Sequence, residues 1–357
     1  MGKGEQHLVE SAIPQWADLR EAKKEVAHRF VHKPQAEATS FAMSARGINS
    51  VINPSPTENV VGVGIGEKFA DGKQTGLFAI KFLVRMKYSK SDLDTKHLLP
   101  SEISGLATDV EEVGTFHRLP ATAPARARVQ AGTMPNPRTK IRPAQPGCSI
   151  GFEDPQGRIL MAGTFGALVK DKDGLYVLSN NHVLADENRL PIGGAIFEPG
   201  LLDKGNPATD QIASLTKFTS LQIQQANKVD CAIAKAIKPS LVSKSILHIG
   251  APTGSEAAAI DMAVHKFGRT TGYTVGQVTS IDTDVKVQYE IGTLTFTGQM
   301  IIAGASGQPF SNAGDSGSLI LQRGSNKAVG LLFAGSSSHT IANHISDVLK
   351  ALGVTLA

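Results

Sequence analysis

The sequence predicts a mainly β chain, in which short strands form a barrel or sandwich behind an amphipathic helix and a small α/β region. Three observations lead there. From about residue 148 onward, segments such as "CSIGF", "LYVLSNNHVLA", "VDCAIAKA" and "AVGLLFAG" follow one another with turn residues between them. That spacing fits a barrel or sandwich better than βαβ units. Glycine is plentiful at 36 residues and aromatics make up only 5%, which suits tight turns between short strands. At 357 residues the chain is also longer than one hydrophobic core usually serves, so more than one domain is expected.

Taken in order, residues 1–57 read as an amphipathic helix and its connector. Val9, Ile13, Trp16, Leu19, Val26 and Phe30 recur at helical spacing, with Arg20, Lys23 and Lys24 between them. Residues 58–117 read as the small α/β domain. "NVVGVGIGEK" and "TGLFAIKFLVRMK" are strands joined by "FADGKQ", and "TDVEEVGTF" is a third strand. "VGVGIG" is no dinucleotide fingerprint, because a strand rather than a helix follows it. Residues 118–147 are rich in Pro, Ala and Arg, hold no acidic residue, and read as an exposed linker. The remaining 148–357 carry the succession of strands, and "NHISDVLKALGV" closes them with a helical stripe of Ile345, Val348, Leu349 and Leu352.

Bulk properties narrow the function classes. A net charge of +4 is small for this length and gives no reason to expect nucleic acid as a partner. No early segment has the apolar core of a signal peptide, and no run is long enough for a membrane helix, so a soluble, cytoplasmic protein without a membrane partner is expected. "MGKGEQ" lacks the Ser or Thr that a myristoylation signal carries at its sixth position. In such a compartment Cys148 and Cys231 are expected as buried, reduced thiols. No metal-ligand spacing and no phosphate loop appear, so neither metal nor cofactor is expected.

The chemistry gathers in three places. "LSNNHVLA" sets His182 where an apolar strand meets a polar turn, "VDCAIA" sets Asp230 in an alternating strand, and "SNAGDSGSLI" sets Ser316 among glycines. A serine needs a base and a group that orients the base before it is a nucleophile. A G-x-S-x-G elbow would need glycine where Ser318 stands, and both that fold and subtilisin order their triads differently. Asp210 is a competing acid, though it lies closer in sequence to His182.

With this order of His, Asp and Ser, residues 148–357 resemble the chymotrypsin-like (trypsin-fold) serine peptidases, including the bacterial HtrA-type branch. The resemblance implies a double six-stranded β-barrel and a serine endopeptidase working through His182, Asp230 and Ser316. It further implies an oxyanion hole from the N–H groups of Gly314 and Ser316, with a protein or peptide as partner. Substrate-binding positions would be Phe310 and Ala313 before the nucleophile, and Phe333, Ala334 and Gly335 in "LLFAG". Phe310 stands where the trypsin branch has its aspartate, so an apolar or small residue is expected at the cleavage site. Asp315 would pair with an internal donor, since no arginine precedes "PGCSIG" to release a new amino terminus. "HKFGRTTGYTVGQVTSI" would be a structural hairpin of the second barrel.

Two other readings accompany the endopeptidase. One is a regulatory or processing role in which the 118–147 linker is a cleavage target or hinge. The other is a catalytically silent trypsin-fold peptide-binding module. The N-terminal arm could recruit substrate, cover the cleft or support a homo-oligomer.

Overall fold

A helical stripe and the inner faces of two curved sheets bury the apolar residues of this chain. The computed structural model describes residues 13–32, 55–70, 72–119, 135–154 and 161–357. It opens with helix α1 (Trp16–Ala27), continued by a wider π-helical turn, His28–His32. α2 (Pro56–Asn59) is a single turn closed by a reciprocal Ser55–Glu58 capping box. Strands β1 (Val60–Ala70) and β2 (Lys73–Val84) form a hairpin, followed by β3 (Glu102–Ile103), β4 (Leu106–Glu112) and the two-residue β5 (His117–Arg118).

The next group comprises β6 (Ser149–Phe152), β7 (Gly163–Thr164), β8 (Ala167–Asp171), β9 (Gly174–Ser179), the short helix α3 (Asn181–Leu184), β10 (Ala195–Phe197), β11 (Gln211–Phe218) and β12 (Ala232–Ala236). The last group comprises β13 (Ala263–Gly268), β14 (Gly272–Tyr289), β15 (Gly292–Gly304), β16 (Leu319–Gln322), β17 (Ala328–Gly335) and β18 (His339–His344). Helix α4 (Ile345–Leu352) and β19 (Thr355–Leu356) end the chain.

The mainly β class and the barrel architecture follow from the pairings. β13, β16, β17, β18, β15 and β14 are neighbours in that order, and β13 also pairs with β14, so six strands close on themselves. The other sheet runs β19-β8-β9-β12-β11-β10-β6-β7, and the C-terminal β19 crosses back to its edge. Ile150, Val177, Ile196, Ile212 and Ile233 fill that first barrel, and Val264, Val278, Ile302, Phe310 and Ile320 fill the second.

The segment expected as a separate α/β domain is built differently. Its helical content is one four-residue helix and short 3₁₀ turns, and its hairpin continues the second barrel's sheet. β1 pairs antiparallel with the bent middle of β14 through Gly62↔Val285 and Ile65↔Ile281. Val63, Ile80 and Phe82 share one core with Val278 and Ile302, while Leu83 on the opposite face packs with Val285 and Phe333. Both faces of β2 are thus covered at its end, and alternation alone did not foretell the second cover.

The N-terminal helix docks on this hairpin with its predicted stripe; Ile13, Leu19, Val26 and Phe30 are buried, and Phe30 meets Phe82 edge-on at 5.6 Å. Val9 and most of the connector lie outside the described residues. Lys23, read from sequence as part of the polar side, is buried instead, its Nζ 2.5 Å from Asp284 Oδ1, while His32 Nε2 lies 2.7 Å from Asp284 Oδ2. The segment read as a linker makes packed contacts at both described ends, while residues 135–143 are exposed or half-buried. Ala144, Pro146 and Gly147 are buried, and Ala144 exchanges backbone hydrogen bonds with Leu241 and Ser243. His117–Arg118 pairs with β17. Residues 120–134 lie outside the described residues.

Candidate active site

Asp230 and His182 meet Tyr289 of the second barrel, and Ser316 stands in a loop of that barrel beside Thr164. β9 ends at Ser179, and the chain turns at once into α3, which carries His182 in its first turn. Asp230 precedes β12, and its carboxylate caps that helix. Oδ1 accepts from the N–H of Asn181 at 2.7 Å and of His182 at 3.3 Å. Oδ2 accepts from the hydroxyl of Tyr289 at 2.7 Å and lies 2.5 Å from His182 Nδ1. A fully buried carboxylate is tolerated because four donors replace the water it lost. Its backbone is held as well, with the N–H donating to Asn343 Oδ1 at 3.0 Å and the carbonyl accepting from Asn180 Nδ2 at 2.8 Å.

Tyr289 and Asn343 have no counterpart in the sequence reading. Tyr289 also sets its ring edge-on to His182, 5.9 Å between centroids, so it fixes both members of the pair. Burial and the neighbouring Asp230 charge push its phenol well above the ordinary tyrosine range, so it stays a donor. Asp210, the competing acid, stands elsewhere. It receives Lys140 and the N–H of Asn206, and braces the loop before β11.

Ser316 is supplied by the second barrel, in the loop that enters β16. Thr164 N–H donates to its carbonyl at 2.8 Å, and Gly317 N–H donates to Leu332 O at 2.8 Å. Gly314 has φ 98°, a left-handed backbone that a side chain would strain. The expected internal partner of Asp315 is a set. Oδ1 accepts from the N–H of Thr270 at 2.9 Å and of Thr271 at 3.1 Å. Oδ2 accepts from Thr271 Oγ1 at 2.6 Å and Asn312 N–H at 3.0 Å, with the buried Lys266 ammonium 3.4 Å away. The β13–β14 hairpin, given no chemical part from the sequence, therefore anchors the serine loop. Lys266 could not be singled out because its partner lies far along the chain.

Two features depart from the sequence expectation. The Ser316 hydroxyl donates to Phe333 O at 3.2 Å rather than to His182, and His182 Nε2 has no hydrogen-bond partner among the described residues. Gly314 N–H, assigned to the oxyanion hole, donates to Leu119 O at 2.5 Å. Both His182 and Ser316 are 0% exposed.

The specificity candidates divide. Ala334 and Gly335 sit on β17 opposite Arg118 and His117. Ala313 lies at the loop, its carbonyl accepting from Thr270 Oγ1 at 2.7 Å. Phe333 faces inward and packs on Phe296, 4.7 Å between ring centroids, so it offers its backbone rather than its side chain. Phe310 is core at 1% exposure. Both cysteines are free and buried, and burial pushes each thiol up to about 12. Among the described residues no His, Cys, Asp and Glu group is placed to hold a metal, and no helix is long and apolar enough to cross a membrane.

Comparison with known proteins adds the following. The family model described as the Nal1 C-terminal domain matches residues 242–345. No curated protein matches the chain. Among solved structures, a glutamic-acid-specific serine protease with a histidine triad in substrate binding is similar at 19% identity and a TM-score of 0.42, over 60% of this chain and 100% of that one. Protease A of Thermobifida fusca is similar at 18% identity and a TM-score of 0.42, over 59% of this chain and 97% of that one. A chymotrypsin of Cellulomonas bogoriensis is similar at 18% identity and a TM-score of 0.41, with the same two shares of 59% and 97%. These likenesses concern the fold alone.

Proposed function

We propose that the chain is a serine endopeptidase acting through His182, Asp230 and Ser316. The observation that carries this reading is the buried Asp230 carboxylate at 2.5 Å from His182 Nδ1, while Nε2 has no partner among the described residues. A histidine kept only for structure would be expected to satisfy both nitrogens. One whose second nitrogen is to accept a proton must keep it free.

The roles follow. Ser316 Oγ attacks the peptide carbonyl carbon as its proton passes to His182 Nε2. Asp230 holds the imidazole tautomer and stabilises the imidazolium. The C–N bond then breaks as the same proton goes to the leaving amine, and water repeats the sequence to release the acid. Gly314 N–H stabilises the oxyanion, a donor whose loss typically costs about 10²–10³ in rate. The backbone of Phe333–Gly335 offers an edge for an extended peptide. The HtrA-type branch and a processing role rest on the sequence motifs alone.

A second reading is a cleft that holds peptides without cutting them. It is favoured by the Ser316 hydroxyl donating to Phe333 O. Catalytic hydrogen bonds often tighten only with substrate in place. Labelling of the folded full chain with a fluorophosphonate probe over several hours separates the two readings. The peptidase reading expects labelling of wild type that Ser316→Ala and His182→Ala both lose. Labelling that survives Ser316→Ala, or none in wild type, overturns it.

A further inference from the structure

Residues His117–Leu119 lie along the site in the manner of a peptide. His117 and Arg118 run antiparallel to β17, opposite Gly335 and Ala334. Immediately beyond them, Leu119 O accepts from Gly314 N–H at 2.5 Å, the donor allotted above to the oxyanion. The Leu119 side chain reaches over the second glycine of this edge, since a Cβ built on Gly335 would stand 3.1 Å from Leu119 Cδ1. It packs against the apolar cluster that contains Phe310.

Arg118 is held just as specifically. Its Nε meets Glu187 and one terminal nitrogen meets Glu290, while the other lies 3.7 Å from Met161 Sδ. The Glu187 side chain is 1% exposed and is aimed by the N–H groups of Glu290 and Ile291, at 3.2 and 3.0 Å. Glu290 also receives Arg189, 2.8 Å away, which in turn binds Asp186 at 2.7 Å. Two carboxylates converging on one guanidinium is a recognition site for a cationic side chain.

We propose that His117–Leu119 is a tethered occupant of the peptide cleft. The two places it fills then define the peptide class: a basic residue held by Glu187 and Glu290, followed by a leucine-sized aliphatic residue whose carbonyl reaches Gly314. This rests on the peptidase reading for the identity of the scissile carbonyl. The cleft as a binding site stands independently of it. Because the occupant is covalently attached, its effective concentration is on the order of millimolar, and a free peptide must compete against that. Full burial of His182 and Ser316 agrees with an occupied cleft.

Binding and reactivity test this separately. In the first arm, full chains carrying Ser316→Ala, with and without Leu119→Gly or Arg118→Gln, are titrated by fluorescence anisotropy with labelled acetyl-His-Arg-Leu and acetyl-His-Glu-Leu amides. The expectation is at least tenfold tighter binding of the Arg-Leu peptide once either tether residue is changed, and a tenfold preference for it over Glu-Leu. Unchanged affinity in both variants, or equal binding of the two peptides, overturns the proposal. In the second arm, fluorophosphonate labelling of Ser316 is timed in chains that retain the serine, and at least tenfold faster labelling is expected for Leu119→Gly and Arg118→Gln. If the affinity changes appear without labelling in any chain, the occupied cleft stands and the peptidase reading falls. If Ser316 labels at one rate in all chains and affinity is unmoved, the tethered occupant falls and the peptidase reading stands.

Discussion

Asp230 shows at the residue scale how a short motif depends on distant groups. The sequence places an aspartate before an alternating strand, and the fold gives its carboxylate four donors, one of them the Tyr289 hydroxyl from the other barrel. A hydrogen bond to a buried charge contributes about 1.5–3 kcal/mol. On the proposed peptidase reading, Tyr289→Phe is therefore expected to lower kcat about ten- to a hundredfold with little change in KM, since Tyr289 acts through Asp230. Steady-state kinetics on an Arg-Leu peptide checks this, and an equal fall in Tyr289→Phe and Asp230→Asn would show more than a positioning part. The cysteines give a simpler expectation. With both thiols buried and their pKa raised to about 12, neither should react with iodoacetamide at pH 8 until the chain is unfolded, and mass spectrometry counts the adducts. His182, Asp230 and Ser316 were legible because each sits in a local pattern that strands and turns impose. Tyr289, Asn343 and Lys266 were not, because what marks them is a contact with a residue far along the chain.

Among elements, the β13–β14 hairpin holds the serine loop, and β4 ties β2 to β18 through Glu111. Lys266 on β13 is fully buried, burial pulls its pKa below the ordinary lysine value, and Asp315 is its counter-charge. Asp315→Ala strands that ammonium, and a stability loss of about 3–5 kcal/mol is expected from urea unfolding. Lys266→Met in the same chain should recover part of it. β4 contributes Glu111, where burial opposes the charge but His339 and Lys81 outweigh it and hold the carboxyl down to about 2. A carboxylate lowered in the folded state adds stability above its unfolded pKa of about 4.3, and that contribution disappears as pH falls toward about 2. Melting temperature followed from pH 6 to pH 2 should therefore drop less steeply in Glu111→Gln than in wild type, and parallel curves would remove Glu111 from the account. The strands themselves were largely visible as alternation. Which neighbour each one takes was not, because β1 meets β14 across more than two hundred residues.

Across the whole molecule, the N-terminal third is joined to the second barrel by close backbone approach. A side chain at Gly64 would strike Thr283 Oγ1 and stand 2.6 Å from Ser280 Oγ, so β1 pairs edge to edge with β14 only with glycine there. Gly64→Val is expected to part the two, lower the melting temperature by several degrees and open residues 58–117 to limited proteolysis. Protection equal to wild type would mean that the hairpin holds by other contacts. The sequence by itself determined the mainly β class, the helical stripe of α1, and the three motifs that carry His182, Asp230 and Ser316. These depend on local periodicity and turn chemistry, which a chain displays along its own length. Only the tertiary structure decided that the hairpin belongs to the second barrel's sheet, that Lys266 and the Thr270–Thr271 turn anchor Asp315, and that His117–Leu119 lies on β17 with its carbonyl at Gly314. Each of these joins groups distant in sequence through shape and charge, and such pairings come into being only when the sheets close.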